Sequence, residues 1–395
     1  MRRLIYIFII GLLLCSYTWA DGSRYASKSL LSEGKWVKIR VDKTGIYKLS
    51  YADLKNMGFS DPSKVSVHGY GGWPLDEDFS KEYIADVPST PVWRGSDYLL
   101  FYGKGPVKWE YDSSSQTFVH TNNPYSLYGY YFVTDATPTN DMTSVAQASG
   151  ASTRITTYDD YLLHEQELVS VNQSGREFFG EDFSGARPRT ISTFSSIPGI
   201  TDADGKVTMR FISRINSGSG TASLSINDSE LLDITIPSIQ TVSSNVRSYT
   251  KAIPGTTTAL WKGSKSEKNN VVVSYSSSGH TNVRLDYIRM QFVRTLRPYG
   301  ACTFFRSLTS VGNASRFVIS EANSNTLVFD VTDALNVKRV EADLNGSELS
   351  FTIPAGRLRE FVLVQTNQTF PSPEVVGEVA SSNLHGLEQR DMIII

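Results

Sequence analysis

The stretch that decides the fold is Lys35-Trp36-Val37-Lys38-Ile39-Arg40-Val41, followed after Asp42-Lys43-Thr44-Gly45 by Ile46-Tyr47-Lys48-Leu49. Apolar and polar residues alternate on both sides of a short turn-forming segment. A period of two puts one set of side chains on each face of a strand, so the pattern predicts strand, turn and strand. Ser50 follows as a helix N-cap, with Asp53 three residues on to complete a capping box and Gly58 to end the helix. Asp61-Pro62 breaks the chain before a strand over 64–68. Further strands are expected at 98–102, 108–111, 117–120 and 130–134, separated by Gly, Pro, Asn and Ser. Together they describe an aromatic-rich β domain.

From Asp135 to Ser152 the composition shifts to small and polar residues, which places a domain boundary near residue 150. The segment from Tyr158 to Val169 carries Leu162, Leu163 and Leu168 among Glu and Gln, a composition that suits one helix. Short alternating runs follow at 207–212, 222–226, 231–236, 271–275, 283–292, 317–319, 327–331, 337–344 and 361–364. Strands this frequent predict a β-sandwich or jelly roll. The expected class is therefore mainly β, with a small β domain over 21–150 and a sandwich over 151–375. Residues 376–395 read as a connector ending in Met392-Ile393-Ile394-Ile395. That unbroken apolar run suits a strand buried on both faces, the first of an α/β domain that would lie beyond residue 395.

The 395 residues are 40% hydrophobic and 20% charged, ordinary values for a folded chain with sizeable cores. The formal charge is −2, which argues against a nucleic-acid partner held through phosphates. Arg2 and Arg3, the apolar run 4–14 and Thr18-Trp19-Ala20 read as a secretory leader over residues 1–20, cleaved after Ala20. The run is too short to span a bilayer. Cys15 would leave with the leader. Cys302 then has no internal disulfide partner, and a small buried apolar role is expected of it.

Several constellations approach a chemical motif and then depart from it. His164-Glu165-Gln166-Glu167-Leu168 has Leu where a helical zinc protease needs its second histidine. Asp202-Ala203-Asp204-Gly205 opens like a calcium loop but lacks the bidentate Glu, so a plain turn is the expectation and an ion at Asp202 and Asp204 the minor option. Gly69-Tyr70-Gly71-Gly72 follows a strand, yet Pro74 stands where a dinucleotide cradle needs its third glycine; a wide turn with φ > 0 is expected instead. His68, His120, His164, His280 and His385 are scattered one per element, with no thiol or serine beside them. Trp73, Trp93, Trp109, Tyr125, Tyr128, Tyr130 and Tyr131 could form a sugar-stacking platform, although core packing is the commoner use of alternating rings. From the residues themselves no catalytic, cofactor-binding or metal-ligating set is assigned, and no cofactor is expected.

An ordered series of segments carries a resemblance. Gly34 to Ile39 with Thr44 to Leu49, Asp53 to Phe59, Val67 to Gly72, Phe101-Tyr102-Gly103-Lys104-Gly105-Pro106, Asn123-Pro124-Tyr125-Ser126 with Tyr130-Tyr131-Phe132, Ser174 to Gly180, Leu285-Asp286-Tyr287-Ile288 and Asn383-Leu384-His385-Gly386-Leu387 resemble the opening region of the surface sortases of the type IX (Por) secretion system. These are members of the gingipain family of cysteine peptidases. The resemblance implies that a caspase-like catalytic domain follows and that its catalytic His and Cys lie beyond residue 395. Neither role passes to His385 or Cys302. It also implies export to the periplasm, outer membrane or surface of a Bacteroidetes-type cell. Outer-membrane secretion components and secreted cargo would be the partners, and C-terminal sorting signals the substrate of the whole enzyme. Two alternatives are a secreted β-sandwich adhesin or carbohydrate-binding module, and a gene fragment with no independent role.

Overall fold

The computed structural model describes residues 26–388 except 79, 81–83, 85, 172–174, 176, 186, 216, 240–251 and 280. The expected leader, Cys15, His280 and the closing apolar strand fall outside the described residues.

The mainly β expectation holds: the described chain is built from antiparallel sheets joined by turns and short 3-10 segments, with one α-helix at Tyr51–Asn56. It divides into two units. The first comprises 1–106, 128–141 and 372–395, and the second 107–127 and 142–371.

In the first unit, Trp36–Val41 lies inside a five-stranded sheet, between Glu374–Val379 on one edge and Gly129–Thr134 on the other, with Ser66–Gly71 and Ser89–Thr90 beyond. The alternation read from the sequence is the burial pattern: Val37, Ile39 and Val41 face a core shared with Leu49, Leu54, Phe101 and Val133, while Lys38 and Arg40 face outward. Gly45–Ser50 instead joins Tyr98–Gly103 and Val92–Arg94 in a second sheet that closes this core. The predicted capping box is present. Ser50 Oγ accepts from Asp53 N at 3.0 Å, and Asp53 Oδ2 accepts from Ser50 N at 3.3 Å. Gly58, at φ +89°, ends the helix with its N–H on Lys55 O.

The second unit holds two sandwiches. In one, Thr157–Glu165, Thr281–Thr295, Gly205–Ile215 and Ile253–Trp261 form a sheet facing Arg189–Thr190, Val271–Ser277, Ser219–Ile226 and Ser229–Pro237. Val207, Met209, Leu224, Ile234, Val273 and Met290 meet between them. In the other, a five-stranded and a four-stranded sheet close over Phe305, Phe317, Phe351 and Phe361. Phe317 and Phe351 are stacked, with ring centroids 5.2 Å apart and planes 7° from parallel. Rings packed this closely contribute beyond the area they bury.

Three sequence expectations are corrected. The helix expected over Tyr158 to Val169 is a strand, Thr157–Glu165, hydrogen-bonded along its whole length to the fifteen-residue strand Thr281–Thr295. Its leucines satisfy either period, and the long neighbouring strand settles the matter because a sheet edge satisfies its backbone groups at once. The boundary near residue 150 also divides the chain differently from the structure. The hairpin of Val107–Asp112 and Thr117–Asn122 belongs to the second unit, and the chain from Ser372 returns to the first to supply Glu374–Val379. Cys302, expected to be buried, is half-buried on Cys302–Phe305.

Buried charge ties the second unit together. The Arg306 guanidinium is fully enclosed; it donates from Nε to Glu360 Oε2 at 2.6 Å and from Nη2 to Glu360 Oε1, and from Nη1 to Asp159 O at 2.9 Å. It also lies 4.3 Å above the ring of Tyr161. This fork spans the two sandwiches, and an arginine suits it because its planar donors match a carboxylate pairwise.

Candidate functional site

Strand alternation places Tyr161, Leu163 and Glu165 on one face of Thr157–Glu165, with Asp160, Leu162 and His164 on the other. The neighbouring Thr281–Thr295 adds Tyr287, Arg289 and Gln291 to the first face, and Gly205–Ile215 adds Thr208 and Arg210. That face is polar yet buried: Arg289, Gln291 and Thr208 are all under 9% exposed. What covers it is the hairpin. Trp109 stacks on Tyr161 with centroids 4.0 Å apart. Phe118 N donates to Gln291 Oε1 at 2.9 Å, and Gln291 Nε2 donates back to Phe118 O at 3.1 Å. Lys206 Nζ donates to Ser115 O and Gln116 O at the turn.

At the open end of the hairpin the contacts become ionisable. His120 Nε2 sits 3.2 Å from Glu165 Oε2, with both side chains nine-tenths or more buried. The His120 ring meets Tyr287 edge-on at 4.7 Å, and its Nδ1 has no hydrogen-bond partner. Asn122 Nδ2 donates to Glu167 Oε1 at 3.0 Å. Asp286 pairs with Arg210, which also reaches Glu177 at 3.2 Å. Burial pushes the Asp286 carboxyl up to about 6 against the pull of Arg210, with Glu165 adding repulsion. Glu167 is likewise pushed up to about 7 by desolvation and by the neighbouring Glu165. The arrangement can hold protons near neutrality and can hold the hairpin down.

On the opposite face of the same strand, His164 bridges two partners. Its Nε2 is 2.7 Å from Glu181 Oε1 and its Nδ1 2.8 Å from Thr193 Oγ1. Burial would raise Glu181, but the hydrogen bond from His164 holds it below the usual carboxylate range. The hydroxyl, imidazole and carboxylate anchor the 3-10 turn Ser192–Phe194 to the sheet edge, with Phe194 buried beneath.

The other sequence candidates have structural explanations. Gly69 and Gly71 take the positive φ expected of them, at +155° and +83°, but inside the strand Ser66–Gly71, whose register is irregular after His68; Gly72 follows its end. A Cβ on Gly71 would stand 2.7 Å from Lys104 Cβ, and one on Gly72 would stand 2.8 Å from the backbone of Gly105, so these glycines let two chain segments touch. Asp202 Oδ1 accepts from Lys265 N at 2.8 Å, which makes it a loop tie. His68 is buried, with Nε2 3.1 Å from Ser66 Oγ and 2.9 Å from Thr137 Oγ1. Backbone N–H of His385 donates to Ser29 Oγ. Cys302 pairs across the sheet with Val364, in a different sandwich from His164. Of the seven rings proposed as a platform, Tyr131 is 1% exposed, Trp109 is stacked on Tyr161 beneath its own hairpin strand, and Tyr128 and Tyr130 carry Arg40 and Lys38 over their faces at 4.0 Å. Only Tyr125 among them is fully presented to solvent, at 84%. Among the described residues no group of three or more His, Cys, Asp or Glu could hold a metal ion, and no helix is long and apolar enough to cross a membrane.

The sequence missed the His120 and His164 pairings because each joins residues far apart in the chain. The signal available was the period of two in 157–165, which separates the adjacent His164 and Glu165 onto opposite faces.

Fold and site together define a mainly β, multi-sandwich region stabilised by buried ion-pair networks. No protein-family profile matches the chain, and no curated protein does. Among solved structures, the chain is similar to the dimeric latent PorU of Porphyromonas gingivalis, with a TM-score of 0.82 and 32% identity over 93% of this chain and 35% of that one. It is thus a PorU-like region, and it spans about a third of that protein's length. Weaker likenesses are to CBM35 from Cellvibrio japonicus Abf62 (TM-score 0.17, 14% identity, 34% of this chain and 97% of that one) and to the insecticidal delta-endotoxin Cry8Ea1 of Bacillus thuringiensis (0.22, 11%, 57% and 41%). Neither bears on fold or function.

Proposed function

We propose that this chain is the non-catalytic N-terminal region of a PorU-like sortase of the type IX secretion system, in the gingipain family of cysteine peptidases. The observation that carries the reading is the match to PorU across 93% of the chain at 32% identity. In the complete protein a caspase-like domain beyond residue 395 would supply the catalytic His and Cys. Thiolate attack on a peptide carbonyl would then remove the C-terminal sorting signal of secreted cargo and pass the acyl group to water or an amine. The role of this region would be to support that domain and to meet outer-membrane secretion components, after export directed by residues 1–20. The PorU in the matched structure is dimeric and latent, and the reading extends to association of this chain with a second copy.

The test compares this chain with a version extended through the following reading frame, using a fluorogenic peptide ending in a sorting signal and a thiol-reactive peptide probe. The expected result is turnover and labelling by the extended protein alone. Turnover by residues 21–395, or stoichiometric labelling of Cys302 with turnover, would overturn the assignment.

A further inference from the structure

Glu374–Val379 is the outermost strand of its sheet, and among the described residues its ladder runs only to Trp36–Val41. A strand paired on one side turns a row of backbone N–H and C=O groups outward, where another chain can take them up. The register slips at Val376, so that Val375 stands opposite Ile39 and Glu378 opposite Val37. Both side chains thereby share the core side of the sheet with Ile39 and Val37. There, a groove of about 530 Å³ runs between this strand and the helix Tyr51–Asn56. Buried Val37 and Leu49 line its inner side, with Met57 and Val375 beside them. Val375 is 49% exposed although it lies across from fully buried Ile39. The polar lining is Asp53, Glu378 and the Asn56 amide. Asp53 Oδ2 is engaged as part of the helix cap, and Glu378 reaches Lys35 at 3.7 Å with 67% of its side chain exposed. A carboxylate has about four acceptor sites, so both can take a further donor.

We propose that this edge takes up an extended basic peptide as an added strand, with one arginine or lysine side chain of the peptide lying in the groove. Its aliphatic stem would rest on Val37, Leu49 and Met57, and its cationic head would meet Asp53 and Glu378. An apolar trough under an acidic rim matches that kind of side chain and no other common one. Lys35, held 5.6 Å over the Phe59 ring, offsets only one of the two carboxylates. The sheet edge supplies backbone pairing whatever the peptide's sequence, and the groove supplies the preference for a basic residue. A second copy of this chain fits the edge poorly. Antiparallel pairing centred on Val376 would set Glu374 of one copy against Glu378 of the other, twice by symmetry, and like charges directly opposite are destabilising.

The test titrates the full chain into dye-labelled, capped peptides alternating valine and arginine, matched in length to the six residues of Glu374–Val379, and follows fluorescence anisotropy. The comparison peptides carry glutamate in place of arginine, or keep the arginines and are N-methylated at one or the other set of alternate amides. The arginine peptide should bind and saturate, and the glutamate peptide should bind roughly three- to tenfold more weakly. One of the N-methylated peptides should lose binding, because it keeps every side chain but cannot donate to the ladder. Hydrogen exchange should show new protection in Glu374–Val379 when the arginine peptide is bound. Glu378→Lys, on an exposed side chain, should reverse the preference between arginine and glutamate, with unchanged exchange in Gly129–Thr134 reporting an intact sheet. Equal affinity for both charges, binding retained by both N-methylated peptides, protection confined to other strands, or no binding would each overturn the proposal. So would a concentration-dependent dimer protected at Glu374–Val379, which would give the edge to a second copy.

Discussion

Gly129→Ala tests the reading of the glycine-rich segments as close backbone crossings. A Cβ at 129 would lie 2.0 Å from Lys104 O and 2.8 Å from Gly72 N. Carbon and oxygen meet comfortably at about 3.3 Å, so the carbonyl would have to retreat by roughly 1.3 Å. That same carbonyl accepts from Gly72 N at 2.9 Å, and Gly129 is paired with Val41 at the end of the sheet. Overpacking strain of about 1–3 kcal/mol adds to about 1–3 kcal/mol for a buried hydrogen bond left open. The expected loss is about 2–6 kcal/mol, confined to the first unit. Because the chain has two units, the loss should be read from exchange of amides in Trp36–Val41 and Gly129–Thr134 under graded urea rather than from one global transition. Gly185→Ala, with open space around its Cβ, is the control and should stay within about 0.5 kcal/mol of the parent. A loss below about 1 kcal/mol at 129 would refute the crossing argument.

Arg306→Met should cost about 3–5 kcal/mol in the second unit by urea denaturation, because Glu360 is left without the guanidinium it faces, while Asp160 keeps its bond from Arg294 at 2.8 Å. The double replacement Arg306→Met with Glu360→Leu should recover much of that loss in a double-mutant cycle. Phe351→Ala, which removes a ring in contact with Phe305, Phe317 and Phe361, should cost about 3–5 kcal/mol. Burial holds His68 below its ordinary value of 6.5, so the folded first unit disfavours its charged form. The stability tied to neutral His68 is complete above that value and declines as pH falls below it; His68→Gln should flatten this part of an exchange-based stability profile.

Much of the architecture was legible because alternation is a local property. Val37, Ile39 and Val41, or Val207 and Met209, announce their inward face without knowledge of any partner. Ile253–Trp261 carried no such announcement, since Pro254 and Gly255 read as breakers. The strand tolerates Pro254 on an outer edge, and Ile234 packs where a Cβ on Gly255 would go. Likewise Glu374–Val379 holds Gly377 and stands beside prolines, and its partner Trp36–Val41 is at the far end of the chain. The polar face under the hairpin was invisible for a related reason. Tyr161 and Glu165 were read on a helix, and nothing local links Trp109 or His120 to them. The glycines of the Gly69 to Gly72 segment are plain in the sequence, but the reason for Gly71 and Gly72 is the close approach of Lys104 and Gly105, which only the fold brings near.

The interleaving of the two units has a consequence for the order of events during synthesis. Residues 142–371, the bulk of the second unit, form an uninterrupted run and can close their sandwiches as soon as they emerge. The earlier-made Trp36–Val41 must wait with one flank bare until Glu374–Val379 arrives. A nascent chain therefore carries an open β edge near its front for most of its synthesis, the sort of surface that holding chaperones shield. Cutting the polypeptide at Pro371 would make that temporary state permanent.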